Sequence, residues 1–265
     1  MQRRQFLSTS LAASAGLLGG SVTAAAMEPA NETGPQFYQL RRYQLVSGPQ
    51  PKLLEGYFQD ALIPALNRLG VSPVGAFSVD FGPDTPAYYL LMPANDVEAL
   101  ATVDLNLAQD SVFLKAGTTG WAASASAPAF ARVDSTLLRA FTGKPRITPP
   151  AEKKPGRVYQ LRTYRSPSYA AHVRKVEMFH SGEFEIFAKA GCESVFYGDA
   201  LVGPQLPNLT YMLTFPSMDA LTDGWDRFRN SPEWKKLSAD ARFAFEPIVS
   251  NVNNYVLKPL PCSQV

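Results

Sequence analysis

The sequence predicts an α+β fold in which two ferredoxin-like βαββαβ units pack against each other within one chain. Three observations predict it: an internal repeat, the same order of strand and helix patterns in each copy, and the length. A predicted leader of 26 residues leaves 239 of the 265 residues, which suits two domains of about 100 to 120 residues each.

The repeat is clearest in the first predicted strand of each copy. Residues 37–43 (FYQLRRY) recur as residues 158–164 (VYQLRTY), with five of seven positions identical at an offset of 121. At the same offset Gly82-Pro83 falls on Gly203-Pro204. Collinear matches of this kind indicate a duplication.

Each copy has the same succession of elements. A strand with alternating residues leads into a helix that stops at a glycine, two strands joined by a Gly/Pro turn follow, and a helical region precedes a closing strand. In the second copy Ser217 is the expected N-cap of that helical region, and Ser231-Pro232 begins a further helix. The predicted strand, helix, strand, strand and closing strand span 37–43, 51–69, 74–80, 87–92 and 136–141 in the first copy, and 158–164, 170–190, 194–199, 209–215 and 252–258 in the second.

These bounds define a first repeat over residues 37–141, a linker rich in Pro and Lys over 142–156, and a second repeat over 157–258. Helices cover only one face of a ferredoxin-like sheet, so the other face needs a partner. Two copies in one chain provide it. We expect a pseudo-twofold pair whose sheets face each other around a central cavity, as a monomer or a weak homodimer.

Residues 1–26 have the pattern of an export signal. Arg3 and Arg4 precede a mildly apolar run that ends in Ala24-Ala25-Ala26, which predicts cleavage before Met27. The paired arginines followed by Gln-Phe-Leu favour the twin-arginine route, with the ordinary secretory route as the alternative. The run is too short to span a bilayer, and no later segment is apolar enough. We expect a periplasmic or secreted protein without a transmembrane span.

Charge and motifs exclude several function classes. Without the leader's two arginines the chain carries 23 basic and 23 acidic residues, which argues against nucleic acid as a partner. The only histidines, His172 and His180, cannot form a three-His zinc site, so we predict no metal site. Phosphate and dinucleotide loops and the G-x-S-x-G elbow are absent as well.

The helix predicted over 170–190 carries a base and an acid on its apolar stripe. At 100° per residue, His180 and Glu183 fall one turn apart among aliphatic and aromatic residues. One interpretation is a catalytic proton shuttle, or a haem ligand, that faces the cavity. The other is a structural His–Glu hydrogen bond at the edge of the stripe. His172, near the helix start, is expected in solvent.

The first strand of each copy has a polar and aromatic face. Alternation gives this face Gln39, Arg41 and Tyr43 in the first copy and Gln160, Arg162 and Tyr164 in the second. If the face lines the central cavity, it suits a carboxylate or phenolic ligand anchored by arginine. The alternative is that each arginine pairs with an acid or a helix end and holds the sheet in register.

The two cysteines are candidates for a disulfide. Cys192 begins a strand and Cys262 lies in the C-terminal tail, and an oxidising compartment would permit their pairing. The alternative is a mobile tail with a free thiol.

Several segments of the second copy together resemble the NIPSNAP domain. They are the Tyr-Gln-Leu-Arg-x-Tyr strand, the Gly203-Pro204 turn, residues 211–213 (YML) and residues 230–235 (NSPEWK). The first copy matches more loosely, since Leu114 stands where the second has Trp234. The resemblance implies the dimeric α+β barrel fold, which haem-degrading and quinone-forming monooxygenases share.

The resemblance says little about activity, because one fold hosts many functions. The leading hypothesis is an exported protein that binds a small molecule or a protein in or beside the barrel, without a predicted cofactor. The alternative is a monooxygenase-type oxidoreductase, haem-dependent or cofactor-free, that uses the central cavity. A third hypothesis is self-assembly through an apolar face.

Overall fold

A computed structural model describes residues 34–265, so the predicted signal over residues 1–26 lies outside the described part. Eight antiparallel strands close one barrel in the order β1-β3-β2-β8-β5-β7-β6-β4. The strands of the first repeat are β1 (Phe37–Gln44), β2 (Gly75–Phe81), β3 (Ala87–Ala94) and β4 (Arg132–Ala140). Those of the second are β5 (Val158–Arg165), β6 (Glu193–Val202), β7 (Asn208–Phe215) and β8 (Asn251–Pro259).

The two repeats join through the edges of their sheets. β2 pairs with β8, and β4 pairs with β6, both antiparallel. This confirms the predicted intrachain pseudo-dimeric α+β barrel. Residues 142–156, between the repeats, contain neither helix nor strand.

Side chains from both repeats fill the middle of the barrel. Tyr38 packs against Phe196 with ring centroids 5.2 Å apart, and Phe77 packs against Tyr159 at 4.8 Å. The expected central cavity is therefore a packed core, which is what a barrel of eight strands accommodates. A polar cavity of about 400 Å³ remains where the strands end, and there Arg42 forms ion pairs with aspartates.

Helices cover the outer face of the barrel. The first repeat has α1 (50–68), α2 (Val97–Ala101), α3 (Val103–Leu107) and α4 (Ser111–Ala116); the second has α5 (169–189), α6 (Met218–Asn230), α7 (Pro232–Ser238) and α8 (Phe245–Ile248). Ser217 caps α6 by accepting a hydrogen bond from the amide of Ala220, and Ser231 caps α7 in the same way. Both caps were predicted from the sequence.

The long helices α1 and α5 each contain a π-helical turn that the sequence analysis missed. The turns lie at Phe58–Leu62 and Phe179–Glu183, again 121 residues apart. In α5 the turn includes Gly182 at a φ of 124°, a left-handed value that favours glycine. A π turn holds one residue more than an α turn, so it shifts every later side chain around the helix.

The C-terminal tail is packed, and the candidate disulfide is absent. The Gln264 amide donates to the Val74 carbonyl at 2.9 Å, and the side chain of Val265 is buried. Both cysteines are free: Cys192 lies in the core of the second repeat, whereas Cys262 packs against the core of the first. Each thiol is therefore held in a different core.

We predict that the native protein contains two unreactive thiols. Burial raises the pKa of both Cys192 and Cys262 to about 11, so little thiolate forms near neutral pH. A thiol reagent such as iodoacetamide should label neither cysteine quickly in the folded protein and both after unfolding without reductant. A non-reduced protein that takes up no label after unfolding would show instead that the disulfide forms.

Candidate functional site

The polar faces of β1 and β5 point outward, under the helices. The alternating residues Tyr38 and Leu40 of β1, like Tyr159 and Leu161 of β5, belong to the cluster that fills the barrel. The barrel interior is therefore lined by the other face of each strand. The alternation was predicted correctly, but the condition that the polar face lines the central cavity does not hold.

Each outward face lines a pocket of its own. The first-repeat pocket has a volume of about 410 Å³ and the second-repeat pocket about 490 Å³. The six predicted residues divide evenly, with Gln39, Arg41 and Tyr43 in the first-repeat pocket and Gln160, Arg162 and Tyr164 in the second. The single central site becomes two pockets on the outer surface of the barrel.

Arg162 dominates the second-repeat pocket. Its Nη2 donates to the Tyr164 hydroxyl at 3.1 Å, and its guanidinium carbon lies 4.5 Å from the ring centroid of Trp225, on α6. Its Nε is buried without a hydrogen-bond partner, and within residues 34–265 it forms no ion pair with a carboxylate. The guanidinium stays protonated at any ordinary pH. Among the described residues, no carboxylate pairs with that charge directly.

Hydrogen bonds hold Trp225 in place in addition to its stacking on Arg162. Its indole Nε1 donates to Gln160 Oε1 at 2.6 Å, and the Gln160 amide in turn donates to Asn254 Oδ1 at 2.9 Å. The hydrogen bonds hold the indole ring over the arginine, so the cation–π pair does not depend on packing alone.

A buried ion pair forms part of the same pocket. Lys175 Nζ lies 2.7 Å from Glu183 Oε2, and both side chains are almost fully buried. Burial raises the pKa of the Glu183 carboxyl, while the nearby charges of Lys175 and Arg162 oppose that rise. Because Lys175 and Glu183 neutralise each other, these three groups together carry one net positive charge, which belongs to Arg162.

Lys175 was not predicted as a pocket residue, because the prediction for this segment was a regular helix. Two α-helical turns take about seven residues, and Lys175 and Glu183 are eight apart. The extra residue of the π turn brings them onto one face. The one available signal was a lysine within the apolar pattern of α5.

His180 and Glu183 do not form the expected pair. His180 is exposed and lines neither pocket; its Nδ1 donates to the Val176 carbonyl at 2.9 Å, and its Nε2 accepts from the Gly143 amide at 3.1 Å. The π turn separates it from the stripe, and Glu183 is already bonded to Lys175. His180 therefore does not face a cavity as a catalytic base or a haem ligand.

His172 also differs from expectation. It is buried, not solvated, and its Nε2 lies 2.6 Å from Asp199 Oδ1. Neither histidine lines either of the two pockets, so neither can ligate a haem bound there.

The first-repeat pocket has the same strand residues but a different charge arrangement. Arg41 Nη1 and Nη2 donate to Asp104 Oδ1 and Oδ2, each at 2.9 Å, in a bidentate ion pair. Asp104 comes from α3, and Tyr43 also bonds Arg41. Arg41 thus makes the structural pairing that the sequence left open, whereas Arg162 does not.

Within the described residues, no helix is long and apolar enough to cross a membrane.

Solved structures resemble the whole barrel. A presumed monooxygenase from Lactobacillus acidophilus NCFM matches with a TM-score of 0.56 at 10% identity, over 85% of this chain and 94% of its own. A presumed monooxygenase from Fusobacterium nucleatum matches with a TM-score of 0.58 at 10% identity, over 86% and 94%. At these identities the likeness shows the fold alone.

Further comparisons concern part of the chain. A NIPSNAP family protein of unknown function from Agrobacterium tumefaciens str. C58 matches with a TM-score of 0.35 at 20% identity, over 40% of this chain and 89% of its own. No curated protein matches the chain. The model of the NIPSNAP family matches residues 159–264. Residues 159–264 of this chain are a NIPSNAP domain.

Proposed function

We propose that the protein binds a small molecule with an anionic group and an apolar body in the second-repeat pocket. The observation that carries the proposal is the state of Arg162. It lines the pocket and has no carboxylate partner within residues 34–265, whereas the matching Arg41 is paired with Asp104. A partly buried guanidinium without a counter-ion favours an anion that supplies one.

The rest of the pocket suits the body of such a ligand. Trp225, Phe228 and Trp234 provide aromatic surface, and Asn254 and Thr222 provide polar groups. A volume of about 490 Å³ fits a small organic molecule, and apolar walls with a few polar groups are typical of such sites. Trp225 reports on binding directly, because a ligand beside its indole changes its fluorescence.

We expect wild-type protein to bind aromatic carboxylates in preference to their neutral amides. The probes are benzoate, 2-naphthoate and indole-3-acetate, each paired with its amide and followed by Trp fluorescence and calorimetry. Arg162→Gln should weaken carboxylate binding by about tenfold or more, since a charge-assisted hydrogen bond contributes about 1.5–3 kcal/mol.

The matched control is Arg174→Gln, which removes the same charge from an exposed arginine that pairs with Glu177 outside the pocket. It should leave binding unchanged. Circular dichroism and thermal unfolding establish that both variants are folded. Equal affinity for each acid and its amide would contradict the proposal. An equal loss of carboxylate affinity in Arg162→Gln and Arg174→Gln would also contradict it.

The alternative, a monooxygenase-type reaction in the central cavity, stays a prediction. The structural neighbours named as presumed monooxygenases share the fold at 10% identity, and His180, the proposed base, lies outside the second-repeat pocket. Oxygen consumption that requires a pocket ligand and is lost in Arg162→Gln would favour such a reaction in the second-repeat pocket instead.

We also propose that the chain is exported to the periplasm or beyond through the twin-arginine route. The support is the pair Arg3-Arg4 and the Ala24-Ala25-Ala26 end of the leader. This leads to an expected mature N-terminus at Met27.

Fractionation of the native host tests export. Replacement of both Arg3 and Arg4 by Lys should retain uncleaved protein in the cytoplasm, because the twin-arginine pathway reads that pair. The control, Gln2→Asn, should be exported and should start at Met27. Wild-type protein that stays in the cytoplasm with its leader would rule the route out.

A further inference from the structure

We infer that the anionic group of the ligand is a carboxylate bound to the edge of the Arg162 guanidinium, and that Asp104 occupies the corresponding place in the first repeat. This inference rests on the proposed function. It names the chemical class of the ligand, and it predicts that wild-type protein has one such site in spite of its two pockets.

The two pockets are built on the same strand residues. Arg41 and Arg162 are 121 residues apart, and each lies between a glutamine and a tyrosine on the outward face of the first strand of its repeat. The tyrosine bonds the arginine in both repeats, and in the second repeat Tyr211 bonds Arg162 as well. The first-repeat pocket therefore indicates which group such an arginine binds.

That group is a carboxylate that binds through both oxygens. Asp104 accepts from Nη1 and Nη2 of Arg41 at 2.9 Å each, although Tyr43 bonds the same guanidinium. A tyrosine beside the arginine thus leaves room for a bidentate carboxylate. The Asp104 side chain is 53% exposed, whereas the Arg41 side chain is only 9% exposed. The carboxylate therefore reaches the arginine from the solvent side.

The second repeat replaces that carboxylate with an aromatic ring. At the offset of 121 from Asp104 stands Trp225, which lies over the face of the Arg162 guanidinium at 4.5 Å. A ring on the face occupies none of the in-plane N–H donors. Because guanidinium N–H groups match two oxygens in one plane, they favour a carboxylate over a phenolate, which offers a single oxygen.

The same comparison explains why the first-repeat pocket should not take this ligand. Its arginine is already neutralised within the chain, so a second carboxylate would meet the charge of Asp104. Removal of Asp104 should convert that pocket into a second carboxylate site that depends on Arg41.

The experiment is a calorimetric titration with 2-naphthoate. Wild-type protein should bind one equivalent per chain, and Asp104→Ala should bind two. Asp104→Ala combined with Arg41→Gln should return to one. Glu152→Ala, which frees an exposed lysine in the segment between the repeats, is the matched control and should bind one.

The probe pentafluorophenolate, which has a single oxygen and is used at a pH at which both probes are ionised, tests the ligand class. It should bind wild-type protein about tenfold more weakly than 2-naphthoate, since it loses one of two charge-assisted hydrogen bonds. Equal or tighter binding of the phenolate would overturn the assignment of a carboxylate.

The remaining outcomes separate this inference from the proposed function. If wild-type protein binds one equivalent and folded Asp104→Ala still binds one, the inference fails while the proposed function stands. If wild-type protein binds none and Asp104→Ala binds one, the proposed site at Arg162 fails. If Asp104→Ala does not fold, Asp104→Asn replaces it, since asparagine keeps the shape of the side chain without its charge. Asp104→Asn should then bind two equivalents of 2-naphthoate per chain.

Discussion

Pairing between the edge strands of the two repeats is the constraint on which the rest of the structure depends. Each four-stranded sheet alone would have two unpaired edges, and the β2–β8 and β4–β6 ladders remove all of them at once. Closure brings the inner faces together, and side chains from both repeats fill the middle of the barrel. The two pockets that contain the matching arginines consequently lie between the outer face of the barrel and its helices.

The helices, rather than the strands, make the two repeats different. The strands present Gln, Arg and Tyr in both repeats, but the segment after the third strand forms short helices α2 to α4 in one and the long helix α6 in the other. The first arrangement brings Asp104 to Arg41, and the second brings Trp225 to Arg162. One arginine is thus paired within the structure, while the other forms no ion pair with a carboxylate of the described residues.

The Lys175–Glu183 pair shows how local helix geometry determines the electrostatics of the pocket. The π turn brings the two charges together in a nearly dry environment, where either one alone would be strongly unfavourable. Their mutual neutralisation leaves Arg162 as the source of net charge among the buried groups of the pocket. A regular α-helix would direct Glu183 elsewhere and leave Lys175 without its partner.

The sequence by itself determined the repeat, the strand bounds to within a few residues, the caps at Ser217 and Ser231, and the shared face of Gln160, Arg162 and Tyr164. These follow from local periodicity and capping, which neighbouring residues establish. Only the tertiary structure decided which face of each strand points inward, that Arg41 meets Asp104 while Arg162 meets Trp225, and that the two cysteines lie in separate cores. The reason is that these contacts join residues far apart in the chain, and their partners are set by barrel closure and by how the helices pack on it.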